Sequence, residues 1–563
     1  MDDFCAIGWH LCQHTTKISG NRTPCCPATT ATAPAVSAIA DVRPVPDLTP
    51  TIARWIRVLA GLAAAMSAGS AWVAVQVATA SESGSPGAIA AAVVAGAAAV
   101  VCVGVAAAPR GRLRAWWRPC NGLLSRLTQP PAVVSPRAAA LLLAVSGLSF
   151  AFLVGRLWSL PDDPWDDDQG AFLITSQEIH EQGGLVWLGR ALWSGEFEEA
   201  NRHPLYLGLL SLCPTVDGGR YLTISIGALT LVLLTASVLR RCGGLTGGIF
   251  SALLATNAAF CLFSTRVVCE VLLVLWCGLV WLNHLPRTSE TTPDPVSPQR
   301  CAVGGALMGL AWLTKGTGLL LMLGYLLWIG VVSLPGLRAV SAERQPRGSR
   351  PDTRGGAVAS TGLRLFCAAA AFLIVGSPLI TRNVHRFGNP FHNLNSLLLF
   401  ADRYEDLPGM VDRGLTTRTA AREYIESHSA GEIVQREATG LVWEAFILLR
   451  SLGPIPLDDA RILFGVPLAV LALAQMAVRR APCDGLLLIW GVSSWLVFAW
   501  YVPIAAGERF VLPLLAPALI AASEALGRGV AAGSRAAPRG TVKLAVVWCG
   551  VWVLATWLLL KTP

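Results

Sequence analysis

The side chains best suited to chemistry are carboxylates crowded into one short stretch, residues 161–184. Five aspartates fall within seven residues there: Asp162, Asp163, Asp166, Asp167 and Asp168. Crowded carboxylates repel one another, and a carboxylate held in this way is suited to accept a proton as a general base. A solvated acidic loop and a weak Ca²⁺ site are the alternative interpretations of the same residues.

Isolated charges also stand beside apolar segments further along the chain. Lys315 has no acid near it in sequence, which favours an anionic ligand such as phosphate. Glu270 follows Arg266 by four residues, so a mutual helical ion pair is the plain structural explanation for both. The remaining cation-bearing motifs are Arg202-His203-Pro204, Arg382-Asn383-Val384-His385-Arg386 and Glu508-Arg509-Phe510. The His-Pro pair is equally typical of a simple helix start.

The elements that must position these residues are apolar helices. Of 563 residues, 53% are hydrophobic and 14% are charged, and the mean hydropathy is +0.54. Soluble proteins are about 25% charged, so the composition excludes a disordered chain and argues against a cytosolic enzyme. About thirteen apolar runs have a length near that of a membrane span. They lie at about 58–80, 88–108, 138–160, 221–239, 245–263, 267–285, 301–313, 317–334, 365–381, 462–478, 485–506, 510–526 and 541–560.

Arginine placement predicts the orientation of these spans. The loops at 109–137 and 338–364 carry six arginines each, and smaller basic loops lie at 240–241, 479–480 and 528–543. Because basic loops stay in the cytoplasm, alternation places 161–220 and 382–461 outside. The net charge of +9 is therefore interpreted as topological and not as a nucleic-acid binding signal. The predicted domains are a disordered cytoplasmic head (1–53), an additional transmembrane hairpin (54–108), a membrane core (138–530), and a cytoplasmic loop with the last span (531–563).

The order of the motifs resembles the GT-C superfamily of integral-membrane glycosyltransferases. The closest branch contains dolichyl-phosphate-mannose–protein mannosyltransferases, Rgt-like enzymes and lipid A aminoarabinose transferases. That branch has an outer-loop acidic pair, a [His/Lys]-Pro-Pro-like element, Gly-Leu-Ala-x-Leu-Thr-Lys, an Arg-Asn…Phe-Gly-x-Pro turn and a late Arg-[Tyr/Phe]…Pro. The matching residues here are Asp166-Asp167-Asp168, His203-Pro204-Leu205, Gly309-Leu310-Ala311-Trp312-Leu313-Thr314-Lys315, Arg382-Asn383…Phe387-Gly388-Asn389-Pro390 and Arg509-Phe510…Pro513. This chain departs from the pattern in having Asp-Asp for the usual Asp-Glu and Leu205 for the second proline.

The resemblance implies an all-α GT-C fold of about 13 transmembrane helices, with short interfacial helices in the extracytoplasmic loops. It implies an enzyme that transfers a hexosyl or pentosyl group from a polyprenyl-phosphate donor to an acceptor hydroxyl, with inversion. Asp167 or Asp168 is the expected base, with Asp166 beside them. The expected ligands of the donor phosphate are Lys315, Arg382, Arg386, Arg509 and His203, and the other expected site residues are Glu270 and Arg266.

The expected partners are the lipid-linked sugar, membrane lipids and an acceptor that is a protein, a glycolipid or a cell-wall glycan. No cofactor and no metal ligand is predicted, although the aspartate run is compatible with a divalent cation. Arginine-rich, lysine-poor usage indicates a GC-rich bacterial genome, hence a bacterial plasma membrane with an extracytoplasmic active site. A transporter or lipid-linked-sugar flippase is the alternative, and it would spread ionisable residues through the helix midplanes. A sensor or assembly scaffold would leave Lys315 and the acidic loop without a role.

Overall fold

A computed structural model of the protein describes residues 136–160, 165, 168–286, 296–333, 354–455 and 459–534. Of these residues, 83% lie in helices and none lies in a β-strand. The predicted head, the first hairpin, the last span, Asp166 and Asp167 lie outside the described residues. The predictions that concern them, and the predicted domain boundaries, stay predictions.

Seventeen α-helices make up most of the described chain. They are α1 (Pro136–Trp158), α2 (Asp168–Glu181), α3 (Gly184–Ser194), α4 (Pro204–Leu210), α5 (Val216–Cys242), α6 (Gly244–Ala255), α7 (Ala258–Thr265), α8 (Glu270–His284), α9 (Pro298–Thr314), α10 (Thr317–Ser333), α11 (Arg354–Phe387), α12 (Leu407–Asp412), α13 (Thr417–Ser427), α14 (Ala430–Ser451), α15 (Ile462–Arg479), α16 (Pro482–Tyr501) and α17 (Leu512–Ser534). Short 3₁₀ turns occur at Leu394–Phe400, Tyr404–Asp406, Asp459–Arg461 and Glu508–Phe510.

The apolar runs predicted between residues 138 and 526 all coincide with helices, which confirms the all-α prediction for this part of the chain. Five of the helices, namely α1, α5, α11, α15 and α16, are long and apolar enough to cross a membrane. The described part is therefore an all-helical membrane protein, and the total of about thirteen spans stays a prediction.

One predicted run, 245–263, is broken into α6 and α7, and the break has a local cause. Asn257 caps α7 by accepting a hydrogen bond from the Phe260 amide, while its own amide nitrogen donates to the carbonyl oxygens of Ser451 and Gly453. An isolated β-bridge joins Asn257 to Pro454. A residue with a capping side chain and a non-helical backbone ends one helix and starts the next.

The core packs tightly where small residues let helices approach. A Cβ on Gly305 of α9 would lie 2.1 Å from the carbonyl oxygen of Ala368 on α11, so only glycine permits this contact. Large side chains such as Trp281, Trp328 and Trp490 are fully buried between the helices. This packing holds the ends of α8, α9 and α11 in fixed places, and those ends carry the charged motifs.

The two long segments predicted to be outside contain five helices of 6 to 14 residues and one, α14, of 22 residues. Helices α2 to α4 lie between α1 and α5, and α12 to α14 lie between α11 and α15. The helical stretch predicted near 417–438 is two helices, because Ser429 starts α14 with a reciprocal capping pair to Glu432.

Candidate active site

An ion pair joins two of the predicted site residues across most of the sequence. A guanidinium nitrogen of Arg509 contacts a carboxylate oxygen of Asp168. Asp168 is the first residue of α2, and Arg509 is in the Glu508–Phe510 turn. Burial lowers the pKa of Arg509, but the carboxylates of Asp168 and Glu270 outweigh it, so the pKa lies above its usual value. Arg509 is therefore a permanent cation beside the predicted base.

A second ion pair lies beside the first. The ammonium Nζ of Lys315 is 2.6 Å from Oε1 of Glu270, whose side chain is only 4% exposed. Lys315 Nζ is 5.5 Å from the centre of the Phe510 ring, and the Arg509 guanidinium carbon is 5.0 Å from the same ring centre. Both cations thus lie within cation–π distance of the Phe510 ring, and the two ion pairs form one cluster.

The partner of Glu270 differs from the simple helical pairing that its spacing suggests. Arg266 has an extended backbone conformation and precedes α8, so it is not one helical turn away from Glu270. The fold instead brings Lys315, at the end of α9, to Glu270 at the start of α8. The absence of a sequence-local acid near Lys315 was therefore no guide to its tertiary partner.

The other predicted cations gather around the end of α11 and the segment before α4. Arg386 pairs with Glu198, and Arg382 donates to the backbone carbonyl oxygen of Glu199. The Glu199 carboxylate accepts from Arg202, from the hydroxyl of Thr175 and from the backbone amides of residues 201 and 202. Sequence reasoning missed the organising role of Glu199, although its position just before Arg202-His203 was a usable signal.

His203 lies between the two groups of charges. Its Nε2 is 3.3 Å from the side-chain nitrogen of Asn393. Burial, with smaller contributions from Arg382 and Lys315, lowers the pKa of His203 to about 3. The lowered pKa favours a neutral imidazole at pH 7, which can offer a hydrogen bond. The expected role of His203 as a ligand of the donor phosphate stays a prediction.

The loop after Lys315 touches the same histidine. A Cβ on Gly316 would lie 2.4 Å from the Asn393 nitrogen and 3.3 Å from His203 Nε2. This close approach links the Lys315 cluster to the His203 cluster. The described site residues thus form one continuous charged region built from the ends of α2, α4, α8, α9 and α11 and the Glu508–Phe510 turn.

Within the described ranges, no group of three or more His, Cys, Asp or Glu side chains is arranged to hold a metal ion. Asp168 contacts Arg509, and Asp166 and Asp167 are outside those ranges.

A separate buried charge network lies at the other end of the helices. Arg479 pairs with Asp484 and Glu524, and Glu524 also pairs with Arg528. Arg461, which pairs with Glu508 beside Arg509, immediately precedes α15, whereas Arg479 ends it. The network at Glu508 and the network at Arg479 are therefore about 27 Å apart along an 18-residue helix. In this second network each buried charge lies beside a charge of opposite sign.

The fold and the site define an all-helical membrane protein with a charged region at one end of its helices. Two solved structures are similar to it. One is the archaeal oligosaccharyltransferase AglB from Archaeoglobus fulgidus in complex with an inhibitory peptide and a dolichol-phosphate, at 13% identity and a TM-score of 0.40, covering 75% of this chain and 55% of AglB. The other is the Archaeoglobus fulgidus oligosaccharyltransferase in complex with Zn and sulfate, at 14% identity and a TM-score of 0.40, covering 74% and 52%.

This chain thus spans about half the length of the structures to which it is similar. No protein-family model matches the chain. No curated protein matches it.

Proposed function

We propose that the protein is an integral-membrane glycosyltransferase that moves a sugar from a polyprenyl-phosphate donor to an acceptor hydroxyl. The observation that carries this proposal is the pairing of Asp168 with Arg509 beside the pairing of Glu270 with Lys315 around one phenylalanine ring. A base and two cations within one cluster meet the needs of sugar transfer with a phosphate leaving group.

The proposed reaction is a single displacement. Asp168 accepts the proton of the acceptor hydroxyl, and the acceptor oxygen forms a bond to the anomeric carbon of the sugar. The bond between that carbon and the phosphate oxygen breaks, and the polyprenyl phosphate leaves as an anion. One displacement inverts the anomeric centre. The leaving phosphate is already a stable anion, so it needs cations more than it needs a general acid.

Arg509 and Lys315 are the proposed phosphate ligands. Side chains of Arg509 and Lys315 are 32% and 22% exposed, so an incoming phosphate can reach both. When the phosphate takes the place of Asp168 on Arg509, the carboxylate is released and becomes available to the acceptor. Arginine suits this exchange because its planar fork binds carboxylate and phosphate with the same geometry.

The second group of charges is proposed to bind the rest of the donor headgroup. Arg382 is buried and held by the Glu199 carbonyl, whereas Arg386 is half exposed and pairs with an exposed Glu198. His203, which is neutral, serves as a hydrogen-bond donor. The site is proposed to face the extracytoplasmic side of a bacterial plasma membrane, and the acceptor is a protein, a glycolipid or a cell-wall glycan.

The proposal is tested by sugar transfer from defined polyprenyl-phosphate sugars in proteoliposomes, with and without chelator. Asp168→Asn is expected to lower the transfer rate by about 10²-fold or more, because it removes the general base. Asp167→Asn tests the neighbouring aspartate in the same assay. Asp412→Asn is the matched control, since Asp412 is an exposed residue of α12 and undergoes the same change.

One result would contradict the assignment, and two others would change how the assay is interpreted. Full transfer by both the Asp167 and Asp168 variants would remove the carboxylate from the mechanism. Loss of transfer in Asp412→Asn as well would show that the assay reports general damage. Loss of wild-type transfer on chelation would assign a metal to the reaction.

The alternative of a transporter or flippase is less well supported. It requires ionisable groups spread along a path through the helices, whereas the two networks at the ends of α15 are about 27 Å apart. Arg479, Asp484 and Glu524 are each buried and paired. Counterflow of a lipid-linked sugar without transfer would favour this alternative.

A further inference from the structure

We propose that Glu508 is a positioning residue that sets the place of Arg509 for the donor phosphate. This inference rests on the proposed function, because it assigns the role of Glu508 through Arg509. Glu508 precedes Arg509 in the chain and points to a different set of partners. The proposal is that those partners anchor the turn from which Arg509 reaches the phosphate.

The Glu508 carboxylate is held by two arginines. Its Oε1 lies 3.0 Å from Nε of Arg450 and 2.7 Å from Nη2 of Arg461, and its Oε2 lies 3.1 Å from Nη1 of Arg461. The side chains of Glu508 and Arg461 are 7% and 3% exposed. Both oxygens are therefore engaged by cations in a nearly dry environment, where such hydrogen bonds are short and directional.

The two arginines are themselves fixed to the helical core. Arg450 is at the end of α14, and the next residues are bound to the start of α7. Asn257 donates to the carbonyl oxygens of Ser451 and Gly453, at 2.8 and 3.1 Å, and the Ile455 amide donates to the carbonyl of Thr256. Hydrogen bonds to Thr256 and Asn257 thus fix the backbone directly after Arg450, and Arg450 in turn binds Glu508.

Arg461 is constrained just as closely. A Cβ on Gly453 would lie 2.5 Å from the Arg461 carbonyl oxygen, so the backbone at Arg461 lies directly against the anchored segment. Arg461 immediately precedes α15, one of the candidate membrane spans. Glu508 therefore binds two elements at once: α14 through Arg450, and the start of α15 through Arg461.

Arg509 needs this support because its own turn is short. The Glu508–Phe510 element is a single 3₁₀ turn, whose hydrogen-bond geometry is poorer than that of an α-helix. Phe510 packs against Phe498 with ring centres 4.7 Å apart, which secures one side of the turn. Glu508 secures the other side. The guanidinium between them is then held where it meets Asp168.

Stability alone is a weaker explanation for this network. A buried ion pair gains little over well-packed apolar residues, because the charges must first be removed from water. A displacement of about 1 Å at a substrate-positioning residue, by contrast, lowers the rate of an enzyme about 10²-fold. Burying Glu508 and Arg461 costs free energy, and positioning the neighbouring Arg509 for the donor phosphate is the function that accounts for this cost.

The test separates positioning from stability by using a charge-balanced double variant. Glu508→Gln removes the carboxylate, and Glu508→Met/Arg461→Met removes the buried pair while restoring charge balance; Arg450 keeps its pairing with Asp459 in both. The control is Glu524→Gln, since Glu524 is also a buried carboxylate between two arginines but is in the network at the other helix ends. The measurements are apparent Tm, KM and kcat for the donor, and the Kd for a polyprenyl monophosphate in proteoliposomes.

We expect the KM and Kd to rise about tenfold or more in both Glu508 variants, with the Tm recovered only in the double variant. Glu524→Gln is expected to lower the Tm and leave the KM and Kd at wild-type values. Wild-type KM and Kd in the double variant would overturn the positioning role and leave the proposed function intact. Failure of the wild type to bind the polyprenyl monophosphate or to transfer sugar would overturn both.

Discussion

Replacing Glu270 by glutamine removes the counter-charge of Lys315 while keeping the shape of the side chain. The Glu270 side chain is 4% exposed and its Oε1 is 2.6 Å from Lys315 Nζ. Breaking a buried pair costs about 3–5 kcal/mol, and the one-fifth exposure of Lys315 places the expected loss near 3 kcal/mol. Lys315→Met is expected to cost a similar amount, because it leaves the Glu270 carboxylate unpaired.

The double variant Glu270→Gln/Lys315→Met decides between stability and function. Neither side chain is then charged, so most of the lost stability is expected to return, to within about 1 kcal/mol of wild type. Sugar transfer is not expected to return, because Lys315 is proposed to bind the donor phosphate. Thermal unfolding in detergent, followed by the fluorescence of the 20 tryptophans, measures the first quantity, and proteoliposome transfer measures the second.

Two outcomes would refute this reasoning, each at a different step. Additive losses, with the double variant less stable than either single variant, would show that the two side chains do not form a pair. A stable double variant with full transfer would show that Lys315 does not contact the donor phosphate, although the pair exists.

Two further predictions concern stability outside the cluster. Burial raises the pKa of Glu444, on α14, from 4.5 to about 7, so the folded protein disfavours its charged form. The destabilisation is absent below about pH 4.5, grows as the pH rises toward 7 and is complete above about pH 7. Glu444→Gln should therefore have a higher Tm than wild type at about pH 8 but not at about pH 4.5. The gain in the free energy of unfolding is limited to about 3 kcal/mol. An equal gain at both pH values would contradict titration of Glu444. Gly440→Ala should destabilise by about 1–3 kcal/mol, because its Cβ would lie 1.8 Å from the Ala499 carbonyl oxygen. Gly491→Ala, on α16 with open space around it, is the control and should not lower the Tm.

The helical architecture was predictable because it depends on local chain properties. Apolar runs of span length can satisfy their backbone groups only as helices, so their positions follow from composition along the chain. The run at 245–263 was the exception, since Asn257 breaks the helix by bonding to residues about 200 positions later. The sequence around Asn257 contains no pattern that predicts hydrogen bonds to residues so distant in the chain.

The types and approximate positions of the site residues were also accessible from sequence. Charges are costly in an apolar chain, so Lys315, Arg382 and Arg509 stood out by their setting alone. His203 was accessible as a residue but not in its charge, because burial beside two cations, which only the fold creates, makes it neutral.

By itself, the sequence determined a helical membrane protein and the few charges available for chemistry, because hydropathy and charge are properties of single residues and short windows. Only the tertiary structure decided which charges meet. Asp168 and Arg509 are separated by 341 positions, and Glu270 and Lys315 by 45, yet each pair is in contact. Pairing depends on how helix ends are packed together, and that packing is set by residues such as Gly305, which has no side chain, and the buried Trp490.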